Sequence, residues 1–305
     1  RWTAVAAIPV SRTNTGYFLL LLLMGAAWGL TQPLTKIAVS TGHLQFGLIV
    51  WQLVFGIAVL LAINLYRRNG LPIGRRYMLR YGVVALAGTI IPNSISYQAA
   101  VHLPSGILSI LMTLVAMFSL PMALLIGLEK FQPFRLVGVL LGAAAMVLLV
   151  GPDASLPDPS LGVWVLFAAI TPVMYAFENT WVSRYGVLDL DPVQVLLGAS
   201  LFGLIIVVPM ALGTGQWIDI TQPWSAPEFA LLGSSVLHVF AYAGYIWLIG
   251  RTGSVFASQV SYLVTGCGVL WAIVLLNEGY SGWVWSVMAL MMVGLFLVQP
   301  RDRQA

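Results

Sequence analysis

Long apolar runs separated by short polar connections dominate the chain. Most runs have about 18 to 24 residues, the length that an α-helix needs to cross the hydrocarbon core of a bilayer. We therefore predict an all-α polytopic membrane protein with ten transmembrane helices. The predicted spans are 17–38, 45–66, 80–101, 104–127, 134–151, 161–183, 193–213, 227–249, 254–276 and 281–299.

The composition also indicates a membrane protein. The chain is 60% hydrophobic and only 8% charged, whereas an ordinary soluble domain carries about 25% charged residues. The connections are short and rich in Gly, Pro, Ser and Asp, so no room remains for a soluble domain. Cys267 is the single cysteine, which excludes an intramolecular disulfide framework. Residues 1–16 lack a signal-peptide pattern and are expected to form a short cytoplasmic segment.

The basic residues predict the orientation. Thirteen of the fourteen Lys and Arg residues fall in or beside alternate connections or at the termini, and the opposite connections carry none. Because positive residues are retained on the cytoplasmic side, both termini, including the tail at 301–305, are expected there. The pI near 9.3 therefore reflects membrane orientation and does not indicate a nucleic-acid partner. The exception is Lys36, which is expected to extend toward the outer interface.

An internal repeat accounts for the number of spans. The segment 81–131 can be aligned with 229–280, which pairs Tyr97 with Tyr245 and Glu129 with Glu278. Each half then has five spans, and because five is odd the second half enters the membrane from the opposite side. Two inverted five-helix repeats of this kind are common in secondary carriers, whose substrate site lies between the halves near the midplane.

Several motifs resemble those of a known family. A WG pair at Trp28 and Gly29 is separated by six residues from Lys36, and the fourth and ninth spans end in LIGLEK and LLNEGY. With the five-plus-five layout, these features resemble the EamA group of the drug/metabolite transporter (DMT) superfamily. The resemblance implies a first EamA repeat at 17–152, an outer linker at 153–160 and a second EamA repeat at 161–300.

The resemblance also implies a function. We expect a secondary transporter that moves a small amino-acid-like, amine or aromatic/cationic metabolite by alternating access between the repeats, as an efflux carrier of the bacterial inner (plasma) membrane. Proton coupling is open, and the protein is expected to be a monomer or a homodimer in membrane lipid. No cofactor, metal or nucleic acid is expected.

Two alternatives remain at this stage. An importer or exchanger of a larger anionic solute, such as a nucleotide sugar, would need cationic groups in the cavity, where only Lys36 is available. An intramembrane enzyme or a receptor is the more remote alternative. The sequence offers no HExxH, GxSxG or CxxC motif, and acid–base catalysis would lack a visible nucleophile or metal.

Family resemblance places a central cavity among spans one, three, four, six, eight and nine. Polar and amphipathic side chains in these spans are expected to face it, since lipid cannot satisfy their hydrogen bonds. The rings among them form either a cage for a cationic or aromatic solute or a packing surface. The substrate-binding candidates are Trp28, Gln32, Asn93, Tyr97, Tyr175, Glu178, Asn179, His238, Tyr242, Tyr245 and Tyr262, and Thr31, Gln98 and Thr265 are expected to line the same wall.

Glu178 is the only one of ten carboxylates that we place deep in a span. An ionisable group there is costly unless it has partners or a watery cavity, so Glu178 and His238 are the candidates for proton coupling. The other interpretations are a neutral acid bonded between helices, an acid extended toward Arg184, and a neutral imidazole bridging two helices. Lys36 lies roughly 20 Å from Glu178 along the membrane normal at about 1.5 Å per residue, which argues against an ion pair.

Overall fold

The computed structural model describes residues 15–150, 158–252 and 259–298, and this part of the chain is helical with no strand. The first half contains α1 (Thr15–Ala38), α2 (Gln45–Tyr66), α3 (Arg75–Ala85), α4 (Ile91–His102), α5 (Ser105–Leu111), α6 (Leu114–Leu125) and α7 (Pro133–Val150). The second half contains α8 (Gly162–Ala168), α9 (Ile170–Tyr185), α10 (Pro192–Gly213), α11 (Ala226–Thr252), α12 (Val260–Leu276) and α13 (Gly282–Val298).

These helices confirm the all-α prediction and follow the ten predicted spans. Seven segments of the described chain are long and apolar enough to cross a membrane, and α12 and α13 are shorter apolar helices. The third span is longer than predicted, because α3 begins at Arg75 instead of residue 80. Most of the predicted N-terminal segment and outer linker, the start of the ninth span and the whole C-terminal tail lie outside the described residues.

Three spans are interrupted rather than continuous. A π-helical turn at Leu86–Ile90 joins α3 to α4. Pro92 follows this turn and has no N–H to donate to the carbonyl of Gly88, which removes one bond of the regular ladder there. The fourth span breaks between α5 and α6, and the sixth breaks at Ala169 between α8 and α9. Interrupted helices line the binding sites of many carriers, because they present backbone polar groups inside the membrane.

The contacts between helices follow the repeat. In the first half α1 packs against α11 and α12, and in the second half α9 packs against α4 and α6. The second spans of the halves, α2 and α10, pack against each other, as do the fifth spans, α7 and α13. Exchanging the two halves therefore reproduces the main contacts, as the predicted inverted repeat requires.

Small residues allow the closest helix contacts. A Cβ atom placed on Gly29 of α1 would lie 2.7 Å from the amide nitrogen of Gly268 on α12. One placed on Gly138 of α7 would lie 2.6 Å from the carbonyl oxygen of Gly294 on α13. The sequences GAAWG and GVLLG predict such small-residue faces for close packing, and the structure confirms both.

The two ends of the helix bundle differ in charge. The connection after α2 carries Arg67 and Arg68, and the connection after α6 carries Lys130, so we call this the Arg-bearing end. Within the described chain, the connections 39–44, 214–225 and 277–281 at the other end contain no Lys or Arg, and we call it the Arg-free end.

Candidate functional site

Glu178 lies on α9 against the π-helical turn of the third span. A Cβ atom placed on Gly88 would lie 2.5 Å from Oε2 of Glu178 and 2.6 Å from its Oε1. The carboxylate therefore occupies the space that any larger residue at position 88 would fill. The side chain is half-buried, and within the described parts of the chain it makes no hydrogen bond or ion pair.

A hydrogen-bonded network of amides and phenols lies one turn away from this carboxylate. Tyr175 of α9 donates to Oδ1 of Asn93 at 3.3 Å, and Nδ2 of Asn93 donates to Oε1 of Gln52 at 2.9 Å. The hydroxyl of Tyr97 donates to the same oxygen of Gln52 at 3.0 Å. Three spans, the second, third and sixth, are thereby joined through side chains alone.

Four rings form a second group, which we call the aromatic cluster: Trp28 of α1 with His238, Tyr242 and Tyr245 of α11. The ring centroid of Trp28 lies 5.7 Å from that of His238, 6.3 Å from that of Tyr242 and 5.9 Å from that of Tyr245, each at a steep angle. The three α11 residues follow at helical spacing, so they share one face of that helix. These distances and angles are those of edge-to-face aromatic pairs.

Glu178 lies within electrostatic range of both the network and the aromatic cluster. Its carboxylate interacts electrostatically with the hydroxyls of Tyr175, in the network, and Tyr242, in the cluster. Through Tyr242, the carboxylate on the sixth span is linked to the imidazole of His238 and to the other rings where the first and eighth spans meet. Such a set can bind a cation through charge and ring faces, and it contains two groups that can take up a proton.

The remaining predicted residues are spread around this region. Asn179 lines a cavity of about 400 Å³ near the Arg-bearing end, together with Ser183, Ser261 and Glu129. This cavity lies among the fourth, fifth, sixth, ninth and tenth spans, so it differs in part from the set of spans that family resemblance implies.

Other candidates have mainly local contacts. The hydroxyl of Thr31 donates to the carbonyl of Trp28 at 2.6 Å, and the amide of Gln98 donates to the carbonyl of Ser94 at 3.1 Å. Thr265 is buried and donates to the carbonyl of Ser109 at 3.4 Å. Gln32 on α1 and Tyr262 on α12 are half-buried, and Tyr262 packs against the main apolar core rather than in the aromatic cluster.

Lys36 lies in the last turn of α1. Its ammonium donates to three backbone carbonyls near the end of α4, and its extension toward the outer interface stays a prediction. The expected absence of a Lys36–Glu178 ion pair holds within the described residues, where three ion pairs occur and none includes either side chain.

Sequence reasoning missed two residues of this region, Gln52 and Gly88. Gln52 lies in the second span, which the family resemblance does not assign to the cavity, although an amide seven residues into an apolar helix carries the same signal as Asn93. The sequence does not indicate a role for Gly88 in the site, because a glycine in a membrane helix is ordinarily a packing residue.

Comparison with known proteins identifies the family. The model of the EamA-like transporter family matches residues 15–151 and again residues 162–299. A solved structure, described only as a crystal structure of a protein, is similar with a TM-score of 0.63 and 19% identity, over 93% of this chain and 96% of that one. At this identity the likeness shows the fold alone. No curated protein matches the chain. The chain is a multi-pass membrane protein of two repeats that belongs to the EamA-like transporter family, within the drug/metabolite transporter superfamily.

Proposed function

We propose that this protein is a secondary carrier that exports a small amine, amino-acid-like or aromatic cationic solute, by alternating access between its two repeats. The observation that carries the proposal is Glu178, a carboxylate without a hydrogen bond in the described chain, adjacent to the network and within electrostatic reach of the aromatic cluster. Membership of a transporter family supports the general class, and we propose no enzymatic step.

The chemistry of the region favours a cation. A carboxylate removed from bulk water attracts an ammonium group more strongly than it would at the surface, because fewer solvent dipoles screen the charge. Ring faces carry negative electrostatic potential and add to that attraction. Tyr242, which interacts electrostatically with Glu178 and contacts the ring of Trp28, would provide such a face.

A larger anionic solute, such as a nucleotide sugar, fits less well. Such a solute would need a free cationic group, and the ammonium of Lys36 already donates to three backbone carbonyls. Its three donors are therefore all in use. We accordingly retain the cationic solute as the proposal.

Proton exchange is proposed as the driving mechanism. A buried carboxyl group is more stable neutral than charged unless a cation accompanies it. Glu178 would therefore hold either a proton or the cationic solute, and protons moving down their gradient would drive the solute toward the acidic side. We propose that both termini face the cytoplasm of a bacterial inner membrane, so that the Arg-bearing end is cytoplasmic.

The test is solute flux in proteoliposomes with and without a pH gradient, using a panel of labelled amino acids, amines and aromatic cations. The variant Glu178→Gln keeps the shape of the side chain but cannot change charge. We expect it to abolish gradient-driven accumulation and to leave slow exchange of solute for solute. Asp219→Asn removes an exposed loop carboxylate and serves as the matched control, with unchanged flux expected. Normal gradient-driven flux in Glu178→Gln would refute the role of this carboxylate and leave His238 to be tested.

A further inference from the structure

The interruption between α4 and α5 lies near the Arg-free end. Leu103 and Pro104 have extended backbone conformations, with φ and ψ of −94° and 148° and of −58° and 142°. Because the helix stops and restarts there, α4 ends with unpaired carbonyls and α5 begins with unpaired N–H groups. Both sets of backbone groups need partners, since the surroundings are largely apolar.

Lys36 supplies the partners for the end of α4. Its Nζ donates to the carbonyl oxygens of Ala100 at 2.6 Å, Val101 at 3.2 Å and Leu103 at 3.0 Å. A cation at the C-terminal end of a helix is also favoured by the helix dipole. The end of the third span is thereby fixed to the end of the first.

Glu278 supplies the partners for the start of α5. Its Oε1 accepts from the amide of Ser105 at 2.8 Å and its Oε2 accepts from the amide of Gly106 at 3.2 Å. The hydroxyl of Tyr280 donates to Glu278 and accepts from the amide of Gly106 at 3.0 Å. The ring of Tyr280 fills the place where a side chain at position 106 would be, so glycine is needed there. Residues from the second repeat thus hold an interruption that belongs to the first.

Glu129, which aligns with Glu278 in the repeat, has a different partner at the Arg-bearing end. It forms an ion pair with Nη1 of Arg135 at 2.8 Å, while Nε of Arg135 donates to the carbonyl of Val298 at 2.8 Å. Glu129 and Arg135 also line the cavity of about 400 Å³. Two corresponding carboxylates therefore act differently: one joins the halves across a helix break, and the other lies beside open space.

We propose that Lys36, Glu278 and Tyr280 form a latch that holds the Arg-free end of the transport path closed, and that the latch must release for that end to open. The inference rests on the proposed alternating access but not on the identity of the solute. Lys36 fixes the break to the first span, and Glu278 and Tyr280 fix it to the second repeat. The two halves cannot separate at this end while the bonds from Glu278 and Tyr280 are in place.

A single-cysteine reporter tests the latch without a transport assay. Ser105 is buried, and within the described chain its hydroxyl has no hydrogen-bond partner, so Ser105→Cys perturbs little. The background carries Cys267→Ser, which removes the native thiol. Reaction of the reporter with a membrane-impermeant maleimide, added from the Arg-free side of proteoliposomes, then measures how often this end opens.

We expect Glu278→Gln and Tyr280→Phe each to raise the labelling rate by about tenfold, since hydrogen bonds that involve a charged group are the stronger ones. Glu129→Gln makes the same chemical change at the aligned position and should leave the rate unchanged. Tyr280→Phe keeps the ring that packs on Gly106, so it tests the latch even if Glu278→Gln does not fold.

An unchanged labelling rate in the Glu278 and Tyr280 variants would overturn the latch. An equal rise of the labelling rate in Glu129→Gln would also overturn it, because it would indicate that the whole structure has loosened. The outcome of the labelling experiment can be judged separately from the proposed function. A raised rate supports the latch even if no solute in the panel is transported, and normal gradient-driven flux with unchanged labelling rejects the latch while keeping the carrier.

Discussion

Gly88→Ala is the most direct test of how the Glu178 carboxylate is positioned. The added methyl carbon would lie 2.5 to 2.6 Å from the carboxylate atoms. Ordinary contact begins at about 3.4 Å, so the carboxylate must move by about 1 Å, and the neighbouring π-helical turn restricts where it can go. A misplacement of this size costs up to about a hundredfold in steps that depend on precise geometry. We expect gradient-driven flux to fall by about ten- to a hundredfold.

The same change should affect stability little. Alanine is favoured over glycine inside a helix by about 0.5–1 kcal/mol. Moving the end of the flexible Glu178 side chain off its preferred rotamer costs about 0.5–1.5 kcal/mol. The two effects nearly cancel, so the thermal unfolding midpoint in detergent should stay within a few degrees of the parent protein.

The assay compares initial rates of gradient-driven uptake into proteoliposomes for the best solute of the panel. Gly56→Ala is the matched control, because a Cβ atom at that position of α2 meets only Val239, at 3.9 Å. It should transport normally. Combining Gly88→Ala with Glu178→Asp, whose side chain is one methylene shorter, should restore part of the lost rate.

Two results would refute this reasoning. The first is normal gradient-driven flux in Gly88→Ala when Glu178→Gln has lost that flux. This result would show that the position of the carboxylate does not matter. A large loss of the remaining solute-for-solute exchange when Gly88→Ala is added to Glu178→Gln would show that Gly88 acts through another residue, since two changes in one pathway should not add.

Further predictions concern topology, the aromatic cluster and the network. Gly70→Cys, where an added side chain meets open space, should be labelled only from the cytoplasmic side and Asp219→Cys only from outside, and any reversal contradicts the orientation. Tyr245→Ala should weaken apparent solute affinity by about 1–2 kcal/mol, measured by competition, whereas unchanged affinity with lower expression would indicate packing. Gln52→Leu should lower stability by about 1–3 kcal/mol by leaving the Tyr97 hydroxyl and the Asn93 amide without their acceptor, and adding Tyr97→Phe should recover part of the loss.

The spans and the repeat were predictable because the bilayer imposes one length and one polarity on every helix that crosses it. The small-residue faces of α1 and α7 were predictable for a similar reason, since close helix contact requires residues without bulk. Side-chain partners were harder to foresee. Lys36 binds carbonyls that become unpaired because α4 ends at His102. The predicted spans place that end correctly, between residues 101 and 104, but hydropathy does not show which side chain binds the carbonyls left unpaired there.

The candidate site was predictable by residue type and less so by grouping. Trp28, His238, Tyr242 and Tyr245 were all named from the sequence, and the structure brings them together. Their division from the amide network was not foreseeable, because it depends on the rotation of each helix about its own axis. Hydrophobic periodicity fixes that rotation poorly when every face of a helix is apolar.

If the proposed solute binds at the aromatic cluster, the cluster also limits how tightly that solute can be held. Trp28 already makes steep-angled contacts with three rings belonging to the protein. A solute that enters must displace at least one of them, so it gains only the difference between the new contacts and those it replaces. Binding then replaces ring contacts within the protein with similar contacts to the solute, so the net free energy of binding is small and dissociation is fast. A carrier needs this property, because a solute held too tightly on one side of the membrane would never leave on the other.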